Sequence, residues 1–135
     1  MPAYQIVSSS SHRVGEAAVL EAASPSAPFA VVFEDDGVTG YFYGLDPSRG
    51  EQPIVDALHI YNVAAVTDRD RPSTLEVAWS ASGMQAALFI NSYPHAVLDF
   101  AGRRGYCRSG FPARPHTGWS EASHEWHDEA LDFFR

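Results

Sequence analysis

Lysine is missing altogether: the nine basic side chains are all arginines, set against 17 acidic residues for a formal charge of -8. A field of that sign repels phosphate backbones, so nucleic acid is excluded as the default partner. The same field favours a basic protein partner, because opposite charges speed encounter. Cys107 is the only cysteine, which rules out an internal disulfide. No apolar run approaches the roughly 18 residues needed for a spanning helix, so no membrane partner is expected. The opening MPAYQIVSSSS has neither a basic stretch nor a continuous apolar one, the two marks of a secretory leader. Together these features make a cytoplasmic location the expectation.

Catalytic and cofactor signatures are also missing. The glycines at 37, 40 and 44 do not spell a dinucleotide or Walker loop, and none of Ser80, Ser82 and Ser109 sits in GxSxG. HEWHD at 124–128 is one residue short of HExxH, so the paired zinc-protease histidines are not in place. No motif implies a cofactor.

What is present is a large supply of core material. Hydrophobic residues make up 45% of the 135, including eight phenylalanines, six tyrosines and three tryptophans. That is enough for one domain without staples, and too short for two sizeable ones. FAVVFEDDGVTGYFYGLD at 29–46 places two aromatic, β-branched runs around Asp35-Asp36-Gly37, the pattern of an antiparallel hairpin. Leu75, Val77 and Trp79 alternate with polar or small residues, Ser80–Gly83 supplies a turn, and Met84–Ile90 supplies a return strand. His95–Phe100 adds a third strand, so a meander is expected. Between these, Ile54, Leu58 and Tyr61 fall at helical spacing behind Pro53, which predicts a short helix over 53–61. Ser120 can cap a last helix whose stripe is Trp126, Ala130, Phe133 and Phe134. The expected architecture is a single α+β domain over 1–135, a mainly antiparallel sheet of two hairpins or a meander covered by a C-terminal helix. Residues 1–28 are expected at its periphery, with 14–23 open to either helix or strand.

Candidate chemistry is scattered. His116, His124, His127 and Asp128 are the densest set of metal-ligand types, and on a helix the last three approach one face. His59, His95 and Asp99 are the acid–base candidates, although an extended chain separates His95 from Asp99 by roughly 13 Å. Asp35 and Asp36 are read as turn formers before Gly37. Arg103, Arg104 and Arg108 are candidates for an anion or for the protein's own carboxylates. Tyr93, Phe111 and Trp119 are the candidate anchors for a protein partner.

The stretches FEDDGVTGYFYGLD, PIVDALHIYNV, the strand through Trp79 and Ser80, INSYPHAVLDFAGRRGYCRSGFP and HEWHDEALDFF resemble an uncharacterised family of small bacterial proteins, a domain of unknown function, over roughly residues 29–134. The resemblance implies a bacterial origin and assigns no activity or cofactor. On the residues alone, a small acidic protein-binding module, toxin-neutralising or regulatory, leads over a small hydrolase built on the His/Asp cluster with a divalent metal. Monomer and homodimer are both open.

Overall fold

The computed structural model describes residues 4–115 and 117–135. Among the described residues, nine strands form two antiparallel sheets. One contains β1 (Tyr4–His12), β6 (Ser73–Ser80), β7 (Gln85–Ile90), β8 (Tyr93–Asp99) and β9 (Arg104–Cys107), in the order β1-β6-β7-β8-β9. The other contains β2 (Ala18–Ala23), β3 (Ala30–Asp35), β4 (Thr39–Leu45) and β5 (Ile54–Asn62), in chain order. The two expected hairpins are β3–β4 and β6–β7, the expected meander runs through β6 to β8, and β9 adds a further strand where the glycines of that segment suggested a loop.

The inner faces meet in one core. Val31, Phe33, Phe42, Val55 and Leu58 come from the smaller sheet, and Leu75, Val77, Trp79, Leu88 and Leu98 from the larger. A seven-residue 3-10 helix, Asp128–Phe134, closes the chain and lays Ala130 and Phe134 over Ala87 and Val97 on the outer face of the larger sheet. The protein is therefore a single α+β domain of two antiparallel sheets and one C-terminal helix. Trp126 and Leu131 widen the covering patch. Phe133 is instead exposed at 38%, so the buried contact runs through Ala130 and Phe134.

Two other segments differ from expectation. Residues 54–62 are a strand, not a helix, and supply the last rung beside β4. The apolar spacing that suggested a helix serves a strand equally well once register shifts at Gly40/Tyr41 and Gly44/Leu45 reset which residues face inward. Residues 120–127 are not helical, because His124 is drawn off the surface into the molecule. The ambiguous segment 14–23 resolves into a turn and β2. The first 28 residues thus contribute one edge strand to each sheet.

Candidate functional site

β5 is the last strand of its sheet, and a bare edge there would expose unpaired amides and carbonyls. The chain after β9 covers part of that edge. Gly110, at a φ of 69°, lets it turn back. The His59 amide then donates to the Phe111 carbonyl at 2.8 Å, and Ser109 Oγ donates to the His59 carbonyl at 2.6 Å. Farther along, the Thr117 hydroxyl donates to the Val55 carbonyl. Between these ties lies a cavity of about 440 Å³, walled by Tyr41, Ile54, Ala57, His59, Phe111 and Pro112. Its lining is largely apolar, and Phe111 and Ile54 are exposed at 63% and 43%. His59 stands edge-on to Tyr41, its cross-strand neighbour. Its Nε2 lies 3.0 Å from Asn62 Oδ1, and its buried Nδ1 has no hydrogen-bond partner among the described residues.

Asp56 lies at the base of this cavity and is paired with His124, both fully buried. His124 Nε2 donates to Asp56 Oδ2 at 2.7 Å and Nδ1 donates to the Pro112 carbonyl. Both ring nitrogens thus face acceptors, the arrangement that suits an imidazolium. Burial pushes the His124 pKa down, but the hydrogen bond and charge of Asp56, with the Pro112 carbonyl, outweigh it and hold the pKa above its ordinary value. Gly105 makes room for the pair: a Cβ there would stand 2.8 Å from Asp56 Oδ2 and 3.3 Å from the His124 ring. The Cys107 amide donates to the His124 carbonyl at 3.1 Å, so the same residue ties the C-terminal segment to the edge of β9.

A second buried histidine–aspartate pair sits near the other end of β5. Asp35 accepts from His12 Nε2 at 3.0 Å, Tyr61 Oη at 2.7 Å, and the Gly15 and Gly37 amides, both at 2.8 Å. Burial raises the Asp35 pKa, yet these donors together lower it below the ordinary value. A Cβ on Gly40 would reach within 2.7 Å of the Tyr61 ring, so this glycine seats the tyrosine. Asp35 is therefore a hub as well as a turn residue. Asp36 does the turn work, accepting from the Val38 and Thr39 amides.

The described metal candidates, His124, His127 and Asp128, do not converge. His124 has no free nitrogen, while His127 and Asp128 are exposed where the 3-10 helix begins, and His116 lies outside the described residues. His127 stands edge-on to Tyr106, and Asp128 accepts from the Trp126 indole. Among the described residues no three His, Cys, Asp or Glu side chains converge on a metal-sized site. The acid–base candidates are also apart. His95 packs beside Tyr93 on β8, its pKa lowered by burial and by the Arg108 charge. Asp99 accepts from Gln85 and from the Ala101 and Gly102 amides, which closes the β8–β9 turn. Of the partner anchors, Phe111 edges the cavity, Tyr93 is exposed beneath Arg108, and Trp119 is half-buried against Phe100. Asp56 and His12 were not singled out from sequence, and Tyr61 was read there only as part of an apolar stripe. A solitary aspartate in an apolar run, IVDALHI, was the available signal for Asp56.

The family described as "Uncharacterized protein conserved in bacteria (DUF2251)" matches residues 12–135, and the chain belongs to it. An "Uncharacterized protein" from Haemophilus influenzae is 54% identical over 84 residues, covering 62% of this chain and 52% of that protein. The chain thus spans about half the length of this curated relative. No solved structure matches.

Proposed function

We propose that this domain is a small acidic protein-binding module that seats a basic partner on the outer face of the β2–β5 sheet. The carrying observation is an asymmetry between the two sheets. The C-terminal helix overlies part of the outer face of the larger sheet, around Ala87 and Val97. The outer face of the smaller one carries Tyr41 and Tyr43 with Glu21 and Glu34, and continues into the apolar cavity at the β5 edge. Tyr43 Oη donates to Glu34 Oε1 at 3.0 Å. Burial and the charges of Glu34 and Glu21 raise its pKa, which marks a negative field on this face. Arginine or lysine of the partner would lie over the tyrosine rings, and one apolar side chain would enter the cavity beside Phe111. Neutralising or regulating that partner is the role such binding serves in this reading, in the cytoplasm. His124 is unsuited to the acid–base work of a hydrolase, since both of its ring nitrogens are committed to acceptors.

Selection from a displayed random-peptide library, using the intact protein as bait, tests this reading. Enriched peptides should pair arginine or lysine with a large apolar residue. The double substitution Glu21→Arg/Glu34→Arg should weaken their binding at least about tenfold, and added salt should weaken wild-type binding. Enrichment of peptides without basic residues, or unchanged binding to the charge-reversed protein, would refute it.

A further inference from the structure

The three arginines clustered in sequence after β8 have separate fates. Arg108 lies over the Trp126 and Tyr93 rings and near Asp128. Arg104 lies over Tyr106. Arg103 instead lines a cleft of about 410 Å³ at the end of the sandwich, together with Arg49. Neither Arg103 nor Arg49 has a side-chain hydrogen bond or ion pair among the described residues, although the chain has 17 acidic side chains to offer.

The two are delivered by different turns. Arg49 ends the 3-10 turn Pro47–Arg49 after β4, and Arg103 sits in the β8–β9 turn at a φ of 53°, a conformation uncommon for a side chain of this size. The Asp99 carboxylate fixes that turn by accepting from the Ala101 and Gly102 amides. Phe29, Phe100 and Trp119 line the same cleft. Phe29 stacks on Phe100 at 4.5 Å, and Trp119 meets Phe100 edge-on at 5.9 Å. The one carboxylate in the lining, Asp46, already accepts from the amide and hydroxyl of Ser48. Guanidinium groups match carboxylate or phosphate oxygens, and an aromatic wall accepts a planar ring. The cleft volume suits a compact ligand.

We propose that this cleft binds a small oxyanion carried on a planar ring, with Arg49 and Arg103 on the anion and Trp119 on the ring. The site is separate from the β5-edge cavity and does not depend on the protein-binding reading. Amide and indole NMR titrations of the whole chain with benzoate, adenosine monophosphate and inorganic phosphate test it. Saturable shifts at Gly118, Trp119 and Arg103 are expected with a ring-bearing anion, and at least about tenfold weaker binding of inorganic phosphate. Saturation by adenosine monophosphate alone assigns the site to phosphates, and by benzoate alone to carboxylates; either supports the proposal. The Arg49→Ala/Arg103→Ala double variant, altered only at exposed side chains, should lose about tenfold or more in affinity. Saturation by neither ring-bearing probe, or unchanged affinity in the double variant, overturns it.

Discussion

A buried histidine–aspartate pair ties down each end of β5, and the two ties are built differently. Near Tyr61, the Asp35 carboxylate gathers four donors from four parts of the chain. Near Asp56, a single imidazolium faces one carboxylate and one carbonyl. The first is redundant, because Asp35 keeps three partners when any one is removed. The second is not, because neither member has another charged partner among the described residues. The difference also sets what each tie holds. Asp35 fastens the β1–β2 connection to the β3–β4 turn, whereas His124 fastens the whole C-terminal run beside the cavity.

The largest effect expected from breaking this contrast comes from His124→Ala. It leaves the Asp56 carboxylate buried without its counter-charge, a change that costs about 3–5 kcal/mol. Chemical denaturation measures it directly. A loss no larger than a surface substitution gives, about 0.5 kcal/mol, would show that Asp56 finds water and that the pair holds nothing.

Tyr61→Phe should cost less, about 1.5–3 kcal/mol, since one donor to a charged acceptor is removed while His12, Gly15 and Gly37 remain. If Tyr61→Phe were more damaging than His124→Ala, the redundancy argument would fail.

The smallest effect is in the shape of the stability–pH curve, where the two ties act on opposite limbs. The folded pKa of His124 is raised, so its contribution is fully present below the unfolded value and is lost as pH rises through the folded one. The folded pKa of Asp35 is lowered, so its contribution is present above the unfolded value and is lost as pH falls through the folded one. His124→Gln should therefore flatten the alkaline limb, and Asp35→Asn the acid limb. Denaturant midpoints across pH check both, and an effect of each variant on the other limb would contradict the assignment.

The hairpins at 29–46 and 74–90 were legible because strand alternation and turn residues are local signals, settled within about ten residues. The strand at 54–62 was hidden because Ile54, Leu58 and Tyr61 fit a helical period, and only the irregular pairing with β4 sets their facing. The C-terminal apolar stripe announced a cover for a sheet face, and Ala130 and Phe134 provide it on the larger sheet. The stripe did not announce that the cover is only the 3-10 turn Asp128–Phe134. His124 and His127 were grouped by closeness in sequence, yet one is sealed inside and the other is exposed.

The sequence by itself determined the family, the α+β class, the acidic field and the positions of the main hairpins. The family is legible by resemblance, and the other three follow from composition or from neighbouring residues, whose spacing is fixed by covalent geometry. Only the tertiary structure decided that Asp56 meets His124, 68 residues away, that Arg49 and Arg103 share a cleft, and that one sheet keeps an outer face which the C-terminal helix does not cover. Those relations depend on which distant segments pack together, because a side chain's partner is chosen by the space the folded chain leaves around it.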